Sequence, residues 1–242
     1  ESGRIYSVSL SADGSWAISG GDSGIRVWDV GSGRCLRIFQ GDNYQVRSVY
    51  LSADGHLALS GSDYDKTIKL WEVDSGRCLR TLEGHLAGVH SVCLSADDRF
   101  ALSGSADKTL KLWEVASGRC LSTLRGHAAG VSAVCLSANG RNALSSSHDN
   151  TLMLWDLESG SCLRTFRGMD AENLSAIHAV CLSADGCFVI SDSSEHKLKL
   201  WEIESGYCLY TLDGHKDHVL SIVLSSDGRY VLSGGMDRRV KL

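Results

Sequence analysis

The sequence contains no proline among its 242 residues, whereas proline averages about 5% of residues in soluble proteins. Repeated copying of one proline-free unit would explain this absence. The sequence also has no apolar run near the roughly 20 residues that a membrane-spanning helix needs, and no signal peptide is visible at Glu1. We therefore expect no membrane association of the chain.

Positive charge is scarce as well. Lys and Arg total 24 against 29 Asp and Glu, so the formal net charge is -5. A protein that binds nucleic-acid backbones in general presents a basic face, and we therefore expect no general nucleic-acid binding. The hydrophobic fraction of 43% and the charged fraction of 22% are instead typical of a soluble globular protein with a large core.

The nine cysteines include no C-x-x-C pair, the usual signature of a zinc or redox site. Five follow the same S-G-x-C-L turn, three lie in a shared V-C-L-S segment, and Cys187 falls outside both patterns. Equivalent positions of successive repeats lie in separate places, so we predict small buried hydrophobic side chains and no disulfides. Free thiols are typical of a reducing compartment, which favours an intracellular, cytoplasmic location. The turn cysteines are Cys35, Cys78, Cys120, Cys162 and Cys208, and the segment cysteines are Cys93, Cys135 and Cys181.

The feature that dominates the sequence is an internal repeat of about 42 residues. The 42-residue units that begin at His85 and His127 agree at 26 positions without a gap. Tryptophan returns at intervals of 43, 42, 42 and 46 residues, at Trp28, Trp71, Trp113, Trp155 and Trp201. A period near 42 matches propeller repeats and is too long for ankyrin or tetratricopeptide repeats.

Each unit contains four short runs of strand type, separated by turns. In the third unit these predicted strands are Val89–Ser95, Phe100–Gly104, Thr109–Val115 and Cys120–Leu124. No run combines helical length with a 3.6-residue period. The pattern predicts four-stranded antiparallel sheets that pack face to face around an axis, each covering the apolar face of its neighbour.

The motif G-H followed by S-G-S-x-D-x-T-[LI]-K-L-W-[ED] resembles the WD-repeat signature, and the resemblance covers essentially the whole chain. It implies an all-β, WD40-type β-propeller of four-stranded antiparallel blades. About six blades are visible in this sequence. Because an open row of blades would expose apolar faces, we expect seven blades in the closed ring, with six as the alternative.

We expect residues 1–242 to form a single WD-repeat propeller. The predicted blades span residues 5–40, 44–83, 88–125, 130–167, 176–213 and 218–242, and the last of them is incomplete. Residues 1–4 match the turn before a fourth strand, so we expect the N-terminal segment to supply the outer strand of the last blade.

The resemblance also implies a hydrogen-bonded set of His, Ser, Asp and Trp within each blade. The second and fifth units depart from it, because Asp42 and Met169 stand at the His position and Glu195 stands at the Asp position. The matching sets are His85, Ser103, Asp107 and Trp113; His127, Ser145, Asp149 and Trp155; and His215, Ser233 and Asp237.

Catalysis and metal binding are both disfavoured by the sequence. A serine nucleophile is activated once per enzyme, beside an oxyanion hole, whereas the Ser, His and Asp of this motif recur together with their Trp. No paired C-x₂-C or H-x₃₋₅-H spacing occurs in a repeating or convergent setting. We therefore predict no catalytic residue, no metal site and no cofactor. An enzyme that uses the central channel is an alternative, but no unique polar cluster supports it.

The near-identical repeats differ most after the Gly-His loop and just before the turn Asp. In WD-repeat proteins the matching positions lie on one rim around the central channel, where partners dock. Arg47 and Tyr64 fall together in the second unit, and both residue types are enriched at binding hot spots. Relaxed drift of exposed positions is the alternative explanation for this variation.

We therefore predict a non-catalytic scaffold that binds a protein or peptide partner on this rim. The alternative is a sensor or autoinhibitory propeller in a larger chain or complex that carries an NTPase or kinase domain. The predicted partner-binding residues are Arg4, Tyr6, Gln45, Arg47, Tyr64, His90, His148, His178, Ser194, His218, Leu220 and Met236.

Overall fold

The computed structural model describes residues 3–41, 45–167, 177–193, 195–225 and 227–242. All regular secondary structure in these residues is β-strand, arranged in six antiparallel sheets whose strands follow chain order. Accordingly, none of the described residues forms a helix that could span a membrane. The prediction of an all-β fold made of repeated antiparallel sheets is confirmed.

The chain divides into two compact units, Glu1–Thr123 and Leu124–Leu242, with the division inside the last strand of the third sheet. The first sheet contains β1 (Ile5–Leu10), β2 (Trp16–Gly21), β3 (Gly24–Asp29) and β4 (Arg34–Phe39). The second contains β5 (Val46–Leu51), β6 (Leu57–Ser62), β7 (Ile68–Glu72) and β8 (Arg77–Leu82). The third contains β9 (Val89–Leu94), β10 (Phe100–Ser105), β11 (Thr109–Glu114) and β12 (Cys120–Arg125).

The second unit contains the remaining three sheets. The fourth sheet contains β13 (Val131–Leu136), β14 (Asn142–Ser147), β15 (Thr151–Asp156) and β16 (Cys162–Arg167). The fifth contains β17 (Val180–Leu182), β18 (Phe188–Asp192), β19 (Leu198–Glu202) and β20 (Cys208–Leu212). The sixth has three strands, β21 (Val219–Leu224), β22 (Val231–Gly235) and β23 (Val240–Lys241). The four strands predicted for the third sheet agree with those observed to within one residue at each end.

A serine and an aspartate close the turn between the first and second strands of each sheet, except in the fourth sheet, where Asn139 takes the place of the aspartate. In the third sheet the Ser95 hydroxyl donates to Asp97 over 2.6 Å and accepts the backbone N–H of Phe100 over 3.0 Å. The same pair recurs in the first sheet as Ser11 and Asp13, 2.6 Å apart. Because the side chains satisfy the turn's own polar groups, the S-A-D-G segments of the sequence fold locally into hairpin turns.

The core of the first unit lies between its sheets. Side chains of the first sheet, including Ile18 and Phe39, pack against Val46, Val49 and Trp71 of the second. The other face of the second sheet packs in the same way against the third, where Val89, Val92 and Trp113 join the cluster. The central sheet is therefore buried on both faces, which explains why its strands carry few exposed apolar residues.

Serine hydroxyls link the first strands of neighbouring sheets in the first unit. The backbone N–H of Val49 donates to the Ser7 hydroxyl over 3.1 Å. One sheet further along, the N–H of Val92 donates to the Ser48 hydroxyl, also over 3.1 Å. These bonds fix the register of one sheet against the next in addition to the apolar contacts.

The second unit is built in the same way. Leu144, Leu152 and Phe166 of the fourth sheet pack against Val189 and Trp201 of the fifth. A smaller cluster joins the fifth sheet to the sixth, with Ile190, Leu198 and Val219 buried in it.

The turn cysteines correct one prediction. Cys35, Cys78, Cys120 and Cys162 are exposed and not buried, and Cys208 is half-buried. They lie on the fourth strand, at the sheet edge, where most side chains face solvent. Each thiol instead contacts the carbonyl two residues ahead, as Cys78 does with Arg80 over 3.3 Å. All nine cysteines are free in the structure. Cys93 alone among them is buried, whereas Cys135 and Cys181, the other two segment cysteines, are only half-buried and Cys187 is exposed.

Gly61 allows the second and third sheets to approach closely. A Cβ atom at this position would lie 2.8 Å from Cγ1 of Val89 and 3.1 Å from Cγ1 of Val92. Gly20 has the same role one sheet earlier, because its Cβ would lie 2.6 Å from Cγ1 of Val49. At both positions a glycine Hα atom, and not a side chain, therefore faces the neighbouring sheet.

We predict that Gly61→Ala lowers the free energy of unfolding by about 1–3 kcal/mol, because the added methyl group overpacks this interface. Urea denaturation followed by circular dichroism measures the change. Gly234→Ala is the matched control, since Gly234 also lies in a second strand but no described atom is within 4 Å of its Cβ position. Equal stability of the Gly61→Ala variant and the unmodified protein would contradict the close approach.

Candidate functional site

A histidine in the loop before the third sheet joins that loop to the sheet. His85 Nδ1 lies 2.8 Å from Asp107 Oδ2, and His85 Nε2 lies 2.8 Å from the Ser103 hydroxyl. The indole N–H of Trp113 donates to the same hydroxyl over 2.9 Å. Since a carboxylate only accepts, His85 carries its proton on Nδ1, and the hydroxyl donates to Nε2. We call this set of four side chains the polar clasp.

The clasp recurs in the second unit. His127 lies 3.0 Å from Asp149 and 2.7 Å from Ser145, and Trp155 donates to Ser145 over 2.8 Å. In the sixth sheet His215 lies 3.0 Å from Asp237 and 2.9 Å from Ser233. The structure therefore brings together each of the three sets that the WD-repeat resemblance implies.

Burial and hydrogen bonding together set the protonation state of the clasp. Burial lowers the pKa of His85 and of His127, and in each case this outweighs the nearby carboxylate, which raises it. For Asp107, burial acts to raise the pKa, but hydrogen bonds from Thr109, the Leu86 N–H and His85 outweigh it and lower the pKa to about 2. At neutral pH the clasp therefore consists of a neutral imidazole and a carboxylate.

The clasp serine, Ser103, has a structural role. Ser103 is 1% exposed, and its hydroxyl is occupied by both His85 and Trp113. A nucleophile must reach its substrate, and this hydroxyl faces the core. The clasp thus satisfies buried polar groups and ties the loop to the sheet.

The second and fifth sheets lack a described clasp. Asp42, Met169 and Ser194 lie outside the described residues. Asp65, at the turn Asp position of the second sheet, contacts Lys69 Nζ at 3.2 Å. Glu195, at the equivalent position of the fifth, contacts Lys197 Nζ at 2.9 Å. The Trp-to-Ser bond persists in both sheets, with Trp71 donating to Ser60 and Trp201 to Ser191.

Several predicted binding residues of the first unit lie together. The Tyr6 hydroxyl donates to Asp22 over 2.8 Å, and the Arg47 guanidinium lies 4.8 Å from the centre of the Tyr6 ring. Arg47 Nε also donates to Asp63 over 3.1 Å. We call this cluster, together with Tyr64, the Arg47 surface.

Other predicted residues border the Arg47 surface. His90 Nε2 lies 3.6 Å from Asp63 Oδ1. The backbone N–H of Arg4 donates to Asp22 over 3.1 Å, and the backbone carbonyl of exposed Gln45 accepts the N–H of Asp63 over 3.1 Å. Tyr64 is 77% exposed.

Sequence reasoning missed Asp22 and Asp63. Both follow the second strand directly, at the position that Ala106 and His148 occupy in the third and fourth sheets. An acidic residue at that variable position, in the two adjacent repeats that also carry Tyr6 and Arg47, was the available signal. The hydrogen bond from Tyr6 lowers the pKa of Asp22, and the same bond raises the pKa of Tyr6.

In the second unit the predicted binding histidines form a row. The ring centres of His148 and His178 are 5.8 Å apart, and those of His178 and His218 are 5.5 Å apart. Leu220 and Met236 are 47% and 54% exposed. Sequence reasoning missed His196, whose ring centre lies 4.7 Å from that of His218.

The sequence profile described as "WD domain, G-beta repeat" matches six segments, residues 1–29, 33–72, 76–114, 118–156, 160–202 and 206–242. Apart from the first, each segment runs from the fourth strand of one sheet to the third strand of the next, a stretch that includes every position of the polar clasp. No curated protein matches the chain significantly. Domains with this repeat typically act as protein-interaction scaffolds. The chain belongs to the WD-repeat (WD40) family of β-propellers.

Proposed function

We propose that the chain is a non-catalytic scaffold that binds a protein or peptide partner on the rim formed by the loops around the central channel. The observation that carries this proposal is the Arg47 surface. It pairs an exposed tyrosine, Tyr64, with an arginine that two neighbouring side chains already hold in place. Tyrosine and arginine dominate the energetics of protein interfaces.

Preorganisation strengthens the case for Arg47. Its side chain is 41% exposed, yet Asp63 fixes Nε and the Tyr6 ring supports the guanidinium plane. A partner that binds this side chain has little rotamer entropy to remove, because the conformation is set in advance. The exposed end of the guanidinium can then contact a carboxylate or a backbone carbonyl of the partner.

The remaining rim residues extend this proposal. His90, Gln45 and Arg4 border the Arg47 surface, whereas Leu220 and Met236 offer exposed apolar side chains in the second unit. The sensor alternative would use the same rim with a partner in the same chain, and no described contact favours it. A cytoplasmic location is part of the proposal, because nine free thiols fit a reducing compartment.

We predict that Arg47→Ala combined with Tyr64→Ala weakens partner binding about 10–100-fold, which is the range of a hot-spot pair. Partners captured by the unmodified protein are identified by mass spectrometry, and their affinity for both proteins is measured by calorimetry. The melting temperature should change little, because an exposed ion pair such as Arg47–Asp63 contributes little to stability.

The matched control is Arg77→Ala combined with Tyr207→Ala. Arg77 is 69% exposed at the start of β8 and Tyr207 is 70% exposed just before β20, and both lie outside the Arg47 surface. The control should bind the partner as the unmodified protein does. Equal affinity of the test variant, or a large fall in its melting temperature, would contradict the proposal.

A further inference from the structure

Two histidines and an aspartate meet in the second unit, where the loops of the fifth and sixth sheets approach each other. The rings of His196 and His218 lie 4.7 Å apart, nearly perpendicular at 87°. One ligand atom from each of His196, Asp217 and His218 lies within 4.8 Å of the other two. All three residues are half-buried. We call these residues the histidine cluster.

Turn geometry places His196 in the cluster. It occupies the turn between β18 and β19 with a left-handed backbone, φ 63°. Lys108 and Asn150 take the same conformation at the equivalent turn position of the third and fourth sheets. Histidine and asparagine tolerate this region better than most residues. The side chain at this turn position therefore varies between sheets, and in the fifth sheet it is an imidazole.

Asp217 and His218 come from the loop before the first strand of the sixth sheet. Asp217 Oδ1 accepts the backbone N–H of His218 over 2.8 Å, which fixes the carboxylate beside the second ring. The cluster thus joins two loops separated by about twenty residues of chain. Because of that separation, local ligand spacing in the sequence predicts no metal site.

The two rings of the cluster have unsatisfied nitrogens. Within the described part of the chain, Nδ1 of His196 and Nδ1 of His218 are buried and have no hydrogen-bond partner. Most buried polar atoms in proteins are paired, so two orphaned ring nitrogens in one cluster indicate a bound group or a solvent molecule. Two imidazoles and a carboxylate that converge on one point favour a cation there.

We propose that His196, His218 and Asp217 bind a divalent first-row transition metal ion, for which Zn²⁺ is the best match. Neutral imidazole and carboxylate are the ligands that such ions take in proteins, and three protein ligands leave one position open. Bonds of about 2.0–2.1 Å in tetrahedral geometry require ligand atoms roughly 3.4 Å apart. Binding would therefore require side-chain rotations that bring the ligand atoms from separations of up to 4.8 Å to that value.

His178 is the candidate fourth ligand. Its ring centre lies 5.5 Å from that of His218, and its Nδ1 lies 3.6 Å from Asp192 Oδ2. The side chain of Asp192 is fully buried, and its other oxygen accepts the backbone N–H groups of His178 and Ala179, each over 2.9 Å. A carboxylate that hydrogen-bonds to the far side of a histidine orients the ring toward a metal. The present contact of 3.6 Å is longer than a hydrogen bond, so the His178 ring would have to move closer to Asp192 when it binds the ion.

Zn²⁺ titration of the full chain by calorimetry tests the proposal. The protein is first treated with iodoacetamide, because its exposed thiols would bind Zn²⁺ themselves. We expect one Zn²⁺ per chain. His196→Asn and His218→Gln should each lower the affinity about 100-fold or more, beyond the 10–100-fold that the loss of an outer partner causes.

The controls separate ligand loss from unfolding. Asparagine stands at the equivalent turn as Asn150, so His196→Asn should keep the melting temperature of the unmodified protein. His56→Gln removes an exposed histidine that also lies beside a carboxylate, 3.4 Å from Asp74, and should leave Zn²⁺ affinity unchanged. Zn²⁺ should raise the melting temperature of the unmodified protein and not that of His196→Asn.

Two results would overturn the proposal. One is the absence of Zn²⁺ binding after thiol treatment. The other is an affinity in His196→Asn and His218→Gln equal to that of His56→Gln. Both tests are independent of the Arg47 surface, so the scaffold proposal and the metal proposal fail separately.

Discussion

Trp113→Ala is expected to lower the free energy of unfolding by about 3–5 kcal/mol, the usual range for removing a buried tryptophan. Trp113 is 1% exposed and packs in the cluster that joins the second and third sheets. Truncation leaves a large cavity at that interface. It also removes the indole N–H, which donates to the Ser103 hydroxyl over 2.9 Å, so this buried hydroxyl loses a hydrogen-bond partner. Urea denaturation followed by circular dichroism measures the loss.

Two further variants divide this effect into its parts. Trp113→Phe keeps most of the apolar ring but removes the indole N–H, so we expect a loss of about 1–2 kcal/mol. Trp28→Ala removes a tryptophan with the same bond to serine, Trp28 Nε1 to Ser19 over 2.9 Å, but this ring is only half-buried. Its loss should be clearly smaller than that of Trp113→Ala. Equal losses for Trp28→Ala and Trp113→Ala would refute the role given to burial between sheets.

Asp107→Ala is expected to lower the free energy of unfolding by about 2–4 kcal/mol, because each buried donor left unpaired costs about 1–3 kcal/mol. The carboxylate accepts the N–H of Leu86 over 2.9 Å and both polar groups of Thr109, over 3.0 and 2.6 Å. It also holds His85 Nδ1 at 2.8 Å. Removing it opens the polar clasp and releases the loop from the sheet. The same denaturation experiment measures the change.

Asp65→Ala is the matched control for the clasp. Asp65 stands at the same turn position in the second sheet, but its side chain is 41% exposed and contacts Lys69. The Lys69 side chain is only 14% exposed, but its Nζ also donates to the Gly41 carbonyl over 2.8 Å and keeps that acceptor in the variant. A partly exposed ion pair contributes about 0–1 kcal/mol, so this variant should lose no more than that. A loss as large as that of Asp107→Ala would show that position in the turn, and not the partner set, decides stability.

Much of the fold could be predicted because its hydrogen bonds are local. The hairpins of each sheet join strands that are adjacent in sequence, and the turn serines and aspartates satisfy their own turns. Trp113 and its counterparts recur at a nearly constant interval because each repeat packs against its neighbours in the same way. The clasp residues could also be predicted, because the His, Ser and Asp positions have the same spacing in each repeat that contains them.

The candidate sites could be predicted only in part. Arg47 and Tyr64 were marked by differences between repeats, but Asp63, which holds Arg47, and Asp22, which holds Tyr6, were not. The contact between Arg47 and Tyr6 joins residues about forty positions apart, in different sheets. His196 was missed for a similar reason, since its partner His218 belongs to the next repeat. Contacts between the variable side chains of neighbouring repeats leave no periodic trace, because they depend on which of these side chains come to face each other.

By itself, the sequence determined the strands, the hairpin order and the side chains of the clasp, since all of these follow from short-range pairing repeated at a constant period. Tertiary structure alone decided three other features. These are the exposure of the turn cysteines on edge strands, the close approach at Gly61, and the meeting of His196 with Asp217 and His218. Each depends on how one sheet lies against another, and side-chain packing in three dimensions sets that placement.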